Sequence, residues 1–449
     1  MHLIWENLIK NLILHWTGDF KGLGEGEESY ILPKHIWQAV GAATAASGST
    51  TPSAYGSRVP NIATDFSLCT ADMWSFWTLY LGPVLLRRRF QQPKYFKHFV
   101  RLVCLLNICL QFEITKEQIV ELRTGFIQWV QDYEKIYYQY SPERLSACPL
   151  TIHALLHIAD SIEACGPVWC YWAFPMERYC GKLQPALRSR RFPYAALDRF
   201  VLEDAQLTQI KFTSGLTDEL SLRTPKGLVP GMFQHPSYED FILLPARQTG
   251  ELAPSLMASV VAAIGTRIDS KDLRSIRKYV KSAVVEQWAK VRCMSEGDTI
   301  WASSLKNRQG DTRDATFVRY QMLVDVNERH RQQETILDLQ TFYGQLQNII
   351  LLKFQDPTAR RALGLTANAL DIDVLIFAAI RTCNLGPNDP NLRGLDVHFY
   401  STLGALQIVD LNCVQCLVAR VKDVDQGWAI IDRSGSLVRA VVDDDDDDD

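Results

Sequence analysis

Apolar positions recur at helical spacing through the first two-fifths of the chain. Leu3, Ile4, Leu8, Ile9 and Leu12 share a face, and Trp5 and Ile13 widen it. Gly18 to Gly26 and the small-residue stretch Gly41–Pro60 are expected to be loops. A second helical stretch starts at Trp74, Phe76, Trp77, Tyr80 and Leu81, and Gly82-Pro83 is expected to interrupt it. Residues Phe96–Leu110 are apolar around most of their circumference, which predicts a largely buried helix. The next helix opens with a capping box, Thr115 with Gln118 three residues on. Its face carries Ile119, Leu122, Phe126, Val130, Tyr133 and Tyr137, and it stops before Pro142. A further helix follows Pro149 to about Ala164 and ends at Gly166-Pro167.

The texture changes after about residue 213. Gly, Pro, Ser and Thr are frequent over 213–265, which reads as a linker with short elements. A basic amphipathic helix is expected over about 270–294, with Leu273, Ile276, Val280, Val284, Trp288 and Val291 on its apolar side. Short β-branched and aromatic runs then follow at Phe317–Val326, Phe342–Phe354, Val374–Ile380, Val414–Val421 and Trp428–Ile431. Turn residues separate them, so a small antiparallel sheet or barrel is expected. The fold class predicted is therefore α+β, an all-α N-terminal half followed by a small β-rich C-terminal domain.

Composition leaves this picture in place. The 449 residues are 47% hydrophobic and 22% charged, the balance of a chain that buries a core. The formal charge is −4, and removing the seven-residue run Asp443–Asp449 turns it into +3. Overall charge thus neither marks nor excludes a nucleic-acid binder, and the Asp run reads as a solvated tail. Eleven cysteines without framework spacing, and no secretory signal, read as reduced intracellular thiols. No stretch approaches the ~18 uncharged apolar residues of a membrane span.

Two stretches resemble the CACTA-type (En/Spm) DNA transposase family. The first is Met1-His2-Leu3-Ile4-Trp5-Glu6-Asn7 with the apolar helix that follows it. The second lies within 148–193. It has two histidines four apart, Gly166-Pro167, Trp169, then Phe174-Pro175-Met176-Glu177-Arg178-Tyr179 and a basic segment. The resemblance covers about 1–212. A weaker one, at Phe342-Tyr343-Gly344 and Trp428–Gly435, is to a domain of unknown function attached to these transposases. It implies a helical insertion-type domain over 1–147 and, over 148–212, the last helix of an incomplete ribonuclease H-like core. The linker, an accessory domain over 266–442 and the acidic tail 443–449 complete the chain.

The family's reaction is metal-dependent DNA strand cleavage and transfer in the nucleus, at transposon ends, by proteins that can form homo-oligomers. Such cleavage uses three carboxylates holding two Mg²⁺ ions about 4 Å apart, and hard cations require oxygen ligands. The resemblance makes Glu177 the third carboxylate and His2 the motif histidine that supports the site without ligating metal. Pro175 sets the start of a helix, which puts Glu177 in its first turn. There the dipole favours the ionised carboxylate. The alternatives are a surface pair of Glu177 with Arg178 or Arg188, and for His2 an ordinary N-terminal histidine with no role. The two catalytic Asp of the family would fall before residue 1, and Asp19, Asp65 and Asp72 offer no substitute pair. The chain is therefore expected to be an N-terminally truncated transposase without strand cleavage alone, using Mg²⁺ only if upstream Asp residues are supplied. Competing expectations are a host-retained DNA- or protein-binding module, and an active enzyme completed by upstream sequence.

Arg87, Arg88 and Arg89 after the Gly-Pro break read either as a DNA-phosphate-contacting loop or as a solvated helix end, and Arg188, Arg190 and Arg191 after Pro185 are candidates to touch DNA phosphates. His153 and His157 offer two ligands where zinc needs three or four, so they are expected to be buried or half-buried structural residues. Cys413-x-x-Cys416 has no partner pair and reads as core. The aromatic series Trp129, Tyr133, Tyr137, Tyr138 and Tyr140 also reads as core rather than as a base-stacking surface.

Overall fold

The computed structural model describes residues 2–187, 191–217, 219–220, 230–294, 297–305, 312–325, 327, 336–367, 370–371, 373–423 and 427–433. Among these the chain is mixed α+β, with helices first and a curled antiparallel sheet after them. The first helical stretch begins as a π turn, His2–Leu8, and continues as α1 (Ile9–Thr17), ended by Gly18 in the left-handed region. Then come α2 (Lys34–Ser47), α3 (Ala71–Phe76) and α4 (Gly82–Leu85), the last two joined by a π turn, Trp77–Leu81. The long pair α5 (Pro93–Cys109) and α6 (Lys116–Tyr133) forms the centre of the layer, and the Thr115–Gln118 capping box starts α6. After it lie α7 (Leu150–Ala154) and α8 (Ile158–Cys165), ended by Gly166 at φ 86°. The layer closes with α9 (Phe174–Leu183) and α10 (Pro193–Ser214).

Two expected breaks are helical instead. α2 runs through Gly41 to Ser47, because Ala is the best helix former and the small face Val40, Gly41, Thr44 and Ser47 is buried. A Cβ on Gly41 would stand 2.6 Å from the Ala63 Cβ, so only glycine permits that approach. Gly82-Pro83 does not stop the next helix either. The π turn before it absorbs the missing proline N–H, and Trp74, Trp77 and Leu81 stay fully buried.

The sheet begins inside the expected linker. Strand β1 (Phe241–Thr249) pairs antiparallel with β2 (Val284–Cys293), and α11 (Pro254–Arg267) and α12 (Leu273–Ser282) lie between them in sequence. The basic helix thus ends at Ser282, and Val284, Trp288 and Val291 belong to a strand. β3 (Thr299–Trp301) pairs with β2. β4 (Phe317–Asp325) pairs with β5 (Leu337–Lys353), a 17-residue strand that forms the spine of the sheet. After α13 (Pro357–Ala362) comes a two-stranded hairpin, β6 (Thr366–Ala367) and β7 (Leu370–Asp371). β8 (Val374–Leu385), β9 (Val397–Asp410), β10 (Val414–Leu417), β11 (Ala419–Lys422) and β12 (Trp428–Ile431) complete the order β1-β2-β5-β8-β9-β12-β11, with β10 on β4.

Both faces of the sheet are covered, and strand alternation shows how. Ile350 and Leu352 of β5 pack with Val260 and Ile264 of α11 and with Ile276 and Val280 of α12. Ile349 and Leu351, one residue out of step, face Trp288, Val291, Tyr238 and Phe241. A third core belongs to the helical layer and extends into the sheet through Val397, Ala419, Val421, Ala429 and Ile431. At that junction the Tyr55 hydroxyl is 3.1 Å from the Leu417 carbonyl and 3.0 Å from that of Ile431, and donates to one or the other. Among the described residues the first strand is β1, so the helical layer does not itself contain a ribonuclease H-like sheet. No described helix is long and apolar enough to cross a membrane.

Candidate functional site

His2 and Glu177, 175 positions apart, meet in space. The His2 Nε2 lies 3.3 Å from the Glu177 Oε1, while its Nδ1 forms a short contact with the Glu6 carboxylate. Asn7 donates through Nδ2 to the His2 carbonyl at 2.7 Å. Three residues of the N-terminal motif therefore form one cluster, and the Glu of the second motif closes it. The π turn His2–Leu8 sets this up, since its buried residues Ile4, Trp5 and Leu8 anchor the segment and leave His2 outside.

Glu177 sits in the first turn of α9, with Pro175 beside it and its own N–H on the Ala173 carbonyl. The side chain is 44% exposed and that of His2 63%, so the pair is open to solvent and weak on its own. A Cβ on Gly181, one turn after Glu177, would meet nothing within 4 Å, so no element packs closely on α9 there. Neither α9 nor α10 contains a buried residue. Among the described residues no group of three or more His, Cys, Asp or Glu converges as a metal ion requires. Among the described residues the carboxylates of this cluster are Glu177 and Glu6, both held by His2, so the three carboxylates of a two-Mg²⁺ site are not assembled here.

A cavity of about 310 Å³ opens beside this cluster. Leu3, Ile4 and Trp5 line it from the His2 segment, and Trp172 and Phe174 from the approach to Glu177. Asp72 also lines it, and burial raises that carboxyl above its usual range. Burial pushes the Cys109 thiol, on another wall, up to about 12, so it is no nucleophile.

The basic candidates are not brought together. Arg87 is turned inward, with Nε 2.6 Å from Asp389 and Nη1 2.9 Å from Asp423, and its guanidinium lies over the Phe399 ring. It ties the helical layer to the sheet, and only 12% of its side chain is exposed, so it is not placed as a phosphate contact. Arg88 is exposed with φ 57°, and Arg89 is half-buried. Arg191 is exposed over the Phe192 ring, and Arg188 and Arg190 lie outside the described residues. His153 and His157 touch through Nε2 atoms 3.1 Å apart, but both are exposed and not buried or half-buried as expected. Helical spacing gave the pairing, while the face they occupy is turned out by buried Ile152, Leu155 and Ala159. Cys416 is buried in β10 and Cys413 half-buried in the turn before it. Trp129, Tyr133 and Tyr137 are fully buried, and Tyr140 is exposed.

Sequence reasoning missed the roles of Glu6 and Asn7. The i, i+4 spacing of His2 and Glu6 was the available signal. Compared with protein-family models, curated proteins and solved structures, the chain finds no match.

Proposed function

We propose that this chain is a transposon-derived protein, corresponding to the C-terminal part of a CACTA-type transposase, that engages DNA without cutting it alone. The supporting observation is the 3.3 Å contact between His2 and Glu177, the two residues that the sequence resemblance singles out from segments far apart in the chain. Glu177 is the metal-type carboxylate in this reading. Glu6 and Asn7 are positioning residues that fix His2. Two further carboxylates must come from elsewhere before Mg²⁺-dependent cleavage can occur.

A second reading, in which another polypeptide segment supplies those carboxylates and completes an active nuclease, is favoured by the bare surfaces of α9 and α10 around Glu177. The test is binding and cleavage by the purified full chain on duplexes carrying the element's terminal repeats, with a random duplex as reference. The expected result is preferential binding, no Mg²⁺-dependent nicking, and unchanged binding for Glu177→Gln. Equal binding to both duplexes overturns the transposon-end reading. Nicking by the chain alone, abolished in Glu177→Gln, overturns the loss of catalysis.

A further inference from the structure

Helix α12 presents a basic surface, and its charges are arranged. Arg274, Arg277, Lys278 and Lys281 fall at i, i+3, i+4 and i+7, all exposed on one side. The opposite side, Ile276 and Val280, is sealed into the core against α11 and β5. Three cations on nearby elements are paired. Lys353 lies 2.8 Å from Glu286, Arg247 lies 3.7 Å from the same carboxylate, and Arg267 pairs with Asp410. The four α12 cations have no ion pair among the described residues. Asp272 caps the helix through the Ser275 N–H and its charge also acts on Arg274, and Glu251 lines the groove beside the helix.

A groove of about 460 Å³ runs beside the helix. Arg277 and Lys281 form one wall, and Thr249, Gly250 and Glu251 face them. Like charges kept side by side without partners repel one another. They are relieved by a ligand that brings a row of negative charge.

We infer that α12 and its groove form a nucleic-acid backbone site, contacting phosphates without reading bases. From Arg274 to Lys281 the helix advances about 10 Å. One DNA strand presents a phosphate every ~3.4 Å along its axis, so about three phosphates fit this row. An anionic membrane is the less suitable partner, because an interfacial helix inserts its apolar face and that of α12 is already buried. The site lies apart from the His2–Glu177 cluster and stands whether or not that cluster is catalytic.

The test uses the full chain with a random 30-base-pair duplex, measured by fluorescence anisotropy across a salt series. Two variants are compared, Arg274→Gln/Arg277→Gln/Lys278→Gln/Lys281→Gln and a control of equal charge change, Lys34→Gln/Lys97→Gln/Arg101→Gln/Lys116→Gln. The expected result is that only the α12 variant weakens binding, by about 10-fold or more at 100 mM salt. The slope of log K against log salt should shrink by about 2 to 3. Circular dichroism should be unchanged, since all four side chains are exposed. Equal effects in both variants, or none in either, overturn the inference. So does an α12 variant that keeps DNA binding while losing phosphatidylserine vesicles. A failure of the transposon-end reading looks different, as loss of preference between duplexes with the α12 effect intact.

Discussion

Acid should unfold this protein earlier than its carboxylates alone would dictate, because two histidines are buried uncharged in the helical layer. His15 is 1% exposed and His98 7%. The Tyr133 hydroxyl donates to the Ala147 carbonyl at 2.8 Å, so its oxygen accepts from the His15 Nε2–H at 3.1 Å. The His15 Nδ1 is buried without a partner, so a second proton there would have no acceptor. Burial, with Arg144 and then Lys21 nearby, lowers this imidazole from 6.5 to about 3. His98 donates to the Trp129 carbonyl and stacks on the Trp129 ring, and burial lowers it to about 4. In both cases the unfolded state takes up the proton first. Stability is therefore full above about pH 6.5 and falls as pH drops through the window down to each folded value. At pH 5 each histidine has cost about 2 kcal/mol, or about 4 kcal/mol together, a large share of ordinary domain stability. Asp72, raised by burial, works in the opposite sense over part of that window. Urea denaturation at pH 7.5, 6 and 5 measures the loss. His15→Gln/His98→Gln keeps a donor near each Nε2 position and removes the titration, so its stability should change little over the same range. A wild type equally stable at pH 7.5 and 5, or a double variant with the same pH slope, refutes the reasoning.

Two further perturbations follow from the packing. Arg87→Met leaves Asp389 and Asp423 facing each other beside Phe399 without their cation. It should cost about 3 kcal/mol in urea denaturation, and Asp389→Asn/Asp423→Asn added to it should recover part of that loss. Gly41→Ala forces a Cβ to within 2.8 Å of the Ala63 backbone nitrogen and should destabilise by about 1–3 kcal/mol. Gly181→Ala, with open space around it, should show no loss in the same thermal melt.

What the sequence revealed depended on how unambiguous each period was. The capping box at Thr115 and the apolar face of α6 were legible because cap chemistry and a 3.6-residue stripe agree there. The boundary between α12 and β2 was not. Val280, Val284 and Trp288 are four apart, a spacing that suits one helix face and one strand face equally, so periodicity carried the helix too far. β9 was missed for another reason. Its burial alternates poorly, since the strand lies half-covered along both faces, and Gly404 interrupts it. Arg144 shows the limit of composition, because it is buried and donates to the Tyr137 and Gly24 carbonyls and to the Tyr30 hydroxyl. No local pattern marks a charge that ties the stretch 24–30 to the turn after α6.

The candidate site sits where the chain has buried least. The helical layer before Gly166 packs a continuous core, yet the segment that carries Glu177 leaves Met176, Tyr194 and Phe212 at 65%, 80% and 77% exposure. Helices draw most of their stability from a packed apolar face, and α10 spends 22 residues without one. A decayed, free-standing copy has no need to keep such side chains apolar, whereas a segment that packs on another polypeptide does. In the reading proposed above, the same uncovered surface lies beside Glu177, the carboxylate that needs two companions. A partner supplying one deficiency is placed to supply the other, and this coincidence ties the completed-nuclease reading to a physical requirement of α9 and α10 themselves.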